Sequence, residues 1–554
     1  MASFGTFVFV LHTHLPYCRN AGRWPHGEEW LYEAASETYI PLLEMLADLH
    51  QRCQFSVTMS FTPVLVEQLA ASAVLDGIQT YIADRIERAR ADEKRFEQEG
   101  DSSLASLAHY FADWYSARLR GFEQQLNGGL INALRYLRDT GCLEVLTSAA
   151  THAYLPLLSR DSSIYAQIRT GVEAYQRTFG ERPAGFWLPE CAYRPAIRNS
   201  DGITRPGLEE FLTAQGVHFT FAESHAIEGG SPPTGTGHLA PWYGGTPWSG
   251  PRTVSRQEDG SGTTSLAYYV GSSPLAIIAR NRRLSMQVWS ADAGYPGDPN
   301  YREFHKRDAI SGIRYWSVTG SGVDLGSKRL YDPRLARERA HLHAEHFAGL
   351  VVEELAQQAE QYGAGSIVAA VFDTELFGHW WHEGIAWLKH VIEVLAGDKR
   401  VTLAPVSQYL SAHPPTAAID MPASSWGAAG DDRTWLNSLT HGMWESLHEC
   451  EADLERRVAS GRQDRKRFLT QACREQLLLQ SSDWPFLVTT GQAREYAEQR
   501  FREHFERYHI LSNLAQTGDV GDAERCYLDR IEQTDELFRF LQPEWFLSRQ
   551  GKAS

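Results

Sequence analysis

The chain has 554 residues, more than one hydrophobic core usually spans, so two or three domains are expected. A net charge of −16 argues against nucleic acid as a ligand, because such binding draws most of its affinity from basic side chains on phosphates. Seven cysteines, an odd number with no two close enough for a metal or redox pair, point to reduced thiols. No apolar stretch approaches a membrane span and the first residues carry no signal-peptide pattern, so a cytoplasmic protein without a membrane partner is expected.

Short β-rich runs at 6–11, 53–59, 143–147, 185–188, 218–221, 284–289 and 367–372 alternate with helical patterns, which predicts a parallel α/β sheet or barrel. The exits of these runs are repeatedly ionisable: His12 and His14, His152, Glu190, Glu223 and His225, Asp292, and Asp373. In α/β barrels the active site collects at the C-terminal ends of the strands. No proline occurs between Pro63 and Pro156, and the charged helical pattern there predicts a helical insertion at 71–135. Residues 227–265 are rich in Gly, Ser, Thr and Pro and carry Trp242, Tyr243 and Trp248, which suits a lid closing over a ligand. Beyond 415 the strand pattern fades into helical periodicity. The expected division is a barrel at 1–70 and 136–415 and a helical domain at 416–554.

Two runs stand apart. Phe186-Trp187-Leu188-Pro189-Glu190 and Ile367-Val368-Ala369-Ala370-Val371-Phe372-Asp373 each deliver one carboxylate to an aromatic-rich loop. Cleavage between sugars needs such a pair, one acid acting at the anomeric carbon and the other protonating the departing oxygen. The 16 Trp and 23 Tyr supply flat faces for sugar rings, although large cores use the same residues. His12 and His14 lie two apart on a strand and share a face, which suits hydrogen bonds to a sugar and equally a metal pair. Glu375 and His379, four apart, share a face if their loop turns helical.

Taken together, His12-Thr13-His14-Leu15-Pro16-Tyr17, Ala150-Thr151-His152-Ala153-Tyr154, Gly185 to Pro195, Gln287-Val288-Trp289-Ser290 and Phe372 to Trp381 resemble the α-1,4-glucan branching enzymes of glycoside hydrolase family 57. Gly294-Tyr295-Pro296-Gly297-Asp298 and Ser481-Ser482-Asp483-Trp484-Pro485-Phe486 strengthen the likeness, which covers nearly the whole chain. The resemblance implies an incomplete (β/α)7 barrel with a helical insertion domain and a C-terminal all-helical domain. It implies Glu190 as nucleophile and Asp373 as general acid/base. His12, His14, His152, Arg280 and Asp292 would contact substrate or balance charge. Trp24 or Trp30, of which Trp30 is preferred, would line the cleft with Trp289, Trp426 and Trp435, and Tyr243 would shield it from water.

The implied reaction cuts an α-1,4 bond and rejoins the segment as an α-1,6 branch with retained configuration, which requires carboxyls ~5–5.5 Å apart. The partner would be an α-glucan such as amylose or a glycogen-like polysaccharide, and the protein a monomer or weak homo-oligomer without metal or cofactor. Three rivals remain: an α-amylase or 4-α-glucanotransferase using the same acids; a metal-dependent, polysaccharide deacetylase-like hydrolase recruiting His12 and His14 with Asp292 or Asp373; and a non-catalytic glucan-binding protein.

Overall fold

A computed structural model describes residues 3–23, 26–126, 129–198, 204–229, 262–290, 293–517 and 519–547. Seven strands among them are mutually parallel: β1 (Gly5–Thr13), β2 (Val57–Phe61), β3 (Leu143–Ser148), β4 (Phe186–Trp187), β5 (Phe219–Ala222), β6 (Ala276–Ala279) and β7 (Ile367–Asp373). One sheet runs β7-β1-β2-β3-β4, and β5 pairs with β6 in a second. Isolated parallel bridges, Gly185 to Phe219 and Arg280 to Ala369, join the two sheets at both edges. The result is a curled ring of seven strands. Shorter strands flank it: Val401–Leu403 beside the start of β1, and Tyr268–Val270 antiparallel to β6.

Alternation within the strands explains the layering. Phe7, Phe9 and Leu11 pack outward in one apolar cluster with Phe347 and Trp387. Phe347 belongs to the helix Pro333–Tyr362 and Trp387 to the helix Gly384–Gly397. Val8 and Val10 face the other way and meet Leu146, Trp187, Phe219, Phe221, Ile278, Ala369 and Val371 inside the ring. Successive side chains point to opposite faces of a strand, so both faces of β1 are apolar because both are covered.

One expected strand is a helix. Residues 284–289 lie in the helix Arg282–Trp289, where the Asn281 side chain accepts from the Leu284 N–H as a cap. Leu284 and Val288 are spaced for a helical face, and both are buried there. The sixth strand comes earlier, at four buried residues, Ala276–Ala279. Arg280 therefore follows that strand, where the sequence reading had it precede one.

Between β2 and β3 the helices Ser72–Glu99 and Ser102–Arg120 form a hairpin. Gly100 turns it at φ 80°, and the Asp101 carboxylate accepts from the Leu104 N–H. The C-terminal part is helical: His441–Ala459, Lys466–Leu479, Asp483–Thr490, Arg494–Leu514 and Asp522–Thr534. Of the Gly- and Pro-rich segment, 230–261 lies outside the described residues. Among the described residues no helix is long and apolar enough to cross a membrane.

Candidate active site

The inward-facing register of the barrel turns polar where its strands end. Val8 and Val10 lead to His12 on the same face, Ala369 and Val371 lead to Asp373, and Ile278 leads to Arg280. Strand pairing places His12 opposite both Asp373 and Ser60. One row across β7, β1 and β2 is thus Asp373, His12, Ser60, capping a barrel interior that is otherwise apolar.

Glu190 follows β4 in a left-handed conformation, φ 61° and ψ 21°. Such backbone is uncommon for a residue with a Cβ and persists only where its surroundings hold it. Trp426 supplies that hold twice. Its backbone N–H donates to the Glu190 carbonyl at 3.0 Å and its indole Nε1 donates to Oε2 at 2.9 Å. Oε1 accepts from the Ser482 hydroxyl at 2.9 Å. Burial pushes the Glu190 carboxyl up to about 7, against the lowering effect of the Trp426 and Ser482 hydrogen bonds.

The Asp373 carboxyl is likewise pushed up to about 7, first by burial and second by the charge of Glu190. Glu375, two residues on, reaches about 8 through burial. It accepts from the Tyr39 hydroxyl at 2.6 Å and from the His14 backbone N–H at 3.2 Å. Three carboxyls in one water-poor site therefore hold protons well above the usual carboxylate range.

The three histidines have their ring nitrogens engaged by the protein. His12 meets Ser60 Oγ at 2.8 Å through Nδ1 and His152 Nε2 at 3.0 Å through Nε2. His152 uses Nδ1 on Ser482 Oγ at 2.9 Å. His14 uses Nδ1 on Thr62 Oγ1 at 2.9 Å and Nε2 on the Asp483 carboxylate at 3.0 Å. Every ring nitrogen of the three has a protein partner. The ligand atoms of His14, His152 and Asp483 converge within 4.8 Å of one another, and His12 is not part of that group. The rings also stack: His14 on His152 at 4.0 Å, and His12 on Trp187 at 4.7 Å.

The remaining expected residues divide. Trp426 stands at Glu190, and its ring lies 5.0 Å from that of Trp187. Arg280 forms a buried ion pair with Glu223 at 2.6 Å and lowers Asp373 from a distance, so its charge is spent mainly inside the barrel wall. Trp289 ends its helix partly buried, with its ring 6.5 Å from Phe372. Trp30 is partly buried between the barrel core and a cluster of the C-terminal domain around Trp484. Trp435 is only 1% exposed and stacks on Tyr154 at 4.4 Å. The Tyr154 ring thus covers one face of Trp435. Tyr243 and Asp292 lie outside the described residues.

Ser482 and Asp483 were not singled out as site residues from the sequence, although their segment carried part of the family likeness. Each reaches the site from the C-terminal domain, and an antiparallel bridge between Ala153 and Ser481 ties the two parts together there.

Residues 8–422 match the model of glycosyl hydrolase family 57, and residues 446–546 match the C-terminal model of 1,4-alpha-glucan branching enzymes. The 1,4-alpha-glucan branching enzyme of Thermococcus kodakarensis is 40% identical over 545 residues, 97% of this chain and 77% of that protein. The branching enzyme of Pyrococcus horikoshii superposes with a TM-score of 0.87 at 37% identity, covering 99% of this chain and 97% of that one. An alpha-amylase of Thermotoga maritima superposes with a TM-score of 0.80 at 28% identity, covering 98% and 99%. The chain belongs to glycosyl hydrolase family 57, among its 1,4-alpha-glucan branching enzymes.

Proposed function

We propose that this enzyme cleaves α-1,4 bonds of a linear α-glucan such as amylose and rejoins the released segment through an α-1,6 bond. Both linkages have the same anomeric configuration, so a double displacement is required. Glu190 attacks the anomeric carbon while Asp373 protonates the leaving oxygen. The glucan is then held as an ester of Glu190 until an acceptor 6-hydroxyl, giving its proton to Asp373, displaces it.

The observation that carries this reading is the electrostatic pairing of the two acids. Glu190 receives two hydrogen bonds that favour its ionised form, while Asp373 is raised by burial and by the Glu190 charge. Both carboxyls are pushed up to about 7, and they differ in their surroundings. Donors aimed at Glu190 favour its ionised form, as a nucleophile needs, while the neighbouring charge favours a protonated Asp373, as an acid needs. Trp426 and Trp289, both only partly buried, offer aromatic surface for sugar rings, Trp426 directly at Glu190. Transfer to a sugar instead of water demands an oriented acceptor hydroxyl.

The seven cysteines are all free, which fits a reducing, cytoplasmic setting for a glycogen-like product, made by a monomer or weak oligomer. The domain division at 1–70 with 136–415, 71–135 and 416–554 is part of the same reading.

The likeness to the Thermotoga maritima alpha-amylase keeps hydrolysis as the second reading. Incubation with amylose followed by proton NMR separates them. Branching gives new α-1,6 anomeric signals, whereas hydrolysis gives only shorter linear chains and new reducing ends. Glu190→Gln is expected to abolish turnover and leave glucan binding nearly intact. A fluorinated glycosyl probe should label Glu190, and a label elsewhere would remove it from the nucleophile role.

A further inference from the structure

We propose that Ser60, His12, His152 and Ser482 form a one-directional hydrogen-bond chain ending on Glu190 Oε1, and that Ser482 is the positioning residue through which the C-terminal domain orients the nucleophile. The inference rests on the reading of Glu190 as nucleophile.

The chain is continuous. Ser60 Oγ lies 2.8 Å from His12 Nδ1, and His12 Nε2 lies 3.0 Å from His152 Nε2. His152 Nδ1 lies 2.9 Å from Ser482 Oγ, and Ser482 Oγ lies 2.9 Å from Glu190 Oε1. Each contact needs one proton, and the donors can be assigned from the carboxylate outward. Ionised Glu190 only accepts, so the Ser482 hydroxyl donates to it. Ser482 then accepts from His152 Nδ1–H. Neutral His152 is bare at Nε2 and accepts from His12 Nε2–H. His12 is in turn bare at Nδ1 and accepts from the Ser60 hydroxyl.

Two neutral imidazoles and two hydroxyls supply one proton for every contact, so only this direction satisfies all of them. Burial lowers both His12 and His152 well below the ordinary histidine value, which keeps the rings neutral. The other carboxylate oxygen is fixed independently. Trp426 Nε1 can only donate, so Oε2 stays an unprotonated acceptor.

Aligned hydrogen bonds polarise one another, so the last one is strengthened by those behind it. The chain thereby favours the ionised carboxylate in a site whose burial opposes charge, and it fixes the position of Oε1. No proton leaves the chain during reaction. When Glu190 forms its ester, the charge on the carboxyl is lost and the Ser482 bond weakens. When the acceptor displaces the ester, both are restored.

The test is the pH dependence of kcat/KM, whose acidic limb reports ionisation of the nucleophile in the free enzyme. Ser482→Ala is expected to move that limb upward by about one pH unit, a tenfold loss below it, with KM for amylose little changed. Ser482→Thr keeps the hydroxyl and should keep the limb in place. Ser60→Ala removes the far donor and should move the limb in the same direction by less. A merely structural role would lower kcat and kcat/KM together without moving the limb. If the limb is unmoved in both alanine variants while Glu190→Gln is inactive, the chain is overturned and the nucleophile stands. Near-parental turnover by Glu190→Gln overturns both. Should Ser482→Ala fail to fold by circular dichroism, the Ser60→Ala limb decides alone.

Discussion

A glutamate at φ 61° is held against its own preference, at a cost on the order of 1–3 kcal/mol. Trp426 restrains that residue at both backbone and side chain. Trp426→Phe keeps the backbone bond and most of the ring but loses the indole donor. Hydrogen bonds to charged groups contribute ~1.5–3 kcal/mol, so activity at mildly acidic pH should fall about tenfold or more, with the acidic limb displaced upward. An unchanged limb would mean that the indole only fills space. Glu190 and Asp373 were legible in the sequence because each ends an apolar run among aromatics, a setting with few other uses. Ser482 was not. A hydroxyl residue 292 positions from the carboxylate it contacts carries no local signature, and only the folded chain brings the two together.

At the level of elements, alternation predicted the barrel well where strands are long. β1 and β7 span nine and seven residues, and an apolar run of that length ending in an ionisable residue reads as a strand covered on both faces. Residues 284–289 misled because a short apolar run does not distinguish a strand from a buried helix face. The Asn281 cap was the available signal. The true sixth strand sets Arg280 against Glu223 at the end of β5, both almost wholly buried. Removing one partner of a buried pair leaves an uncompensated charge, typically costing ~3–5 kcal/mol, whereas replacing both by apolar groups costs far less. Glu223→Gln should therefore lower the thermal midpoint more than the double variant Glu223→Leu with Arg280→Met. A double variant that melts no higher than the single one would contradict this account.

For the whole molecule, the raised carboxyls link stability to pH. Glu190 and Asp373 titrate near 7 in the folded protein, against ~4.3 and ~3.9 for unperturbed groups. They hold protons more tightly folded than unfolded, so their contribution is fully present below about pH 4 and is lost as pH rises through 7. The lowered His12 and His152 act in the opposite sense, and the stability they contribute falls as pH drops below ~6.5. Asp373→Asn removes one of the first group. Its thermal midpoint relative to the parent protein should rise between pH 5 and pH 8, and an equal difference at both pH values would refute the linkage.

Ser482 reaching Glu190 across 292 residues also has a meaning for biogenesis. At ~5–20 residues per second, a ribosome delivers the glutamate roughly 15–60 s before the serine that orients it. A nascent polypeptide therefore carries the reactive acid long before it carries the support. Until residue 482 has emerged and docked, the glutamate lacks the hydrogen bond that holds Oε1 in place.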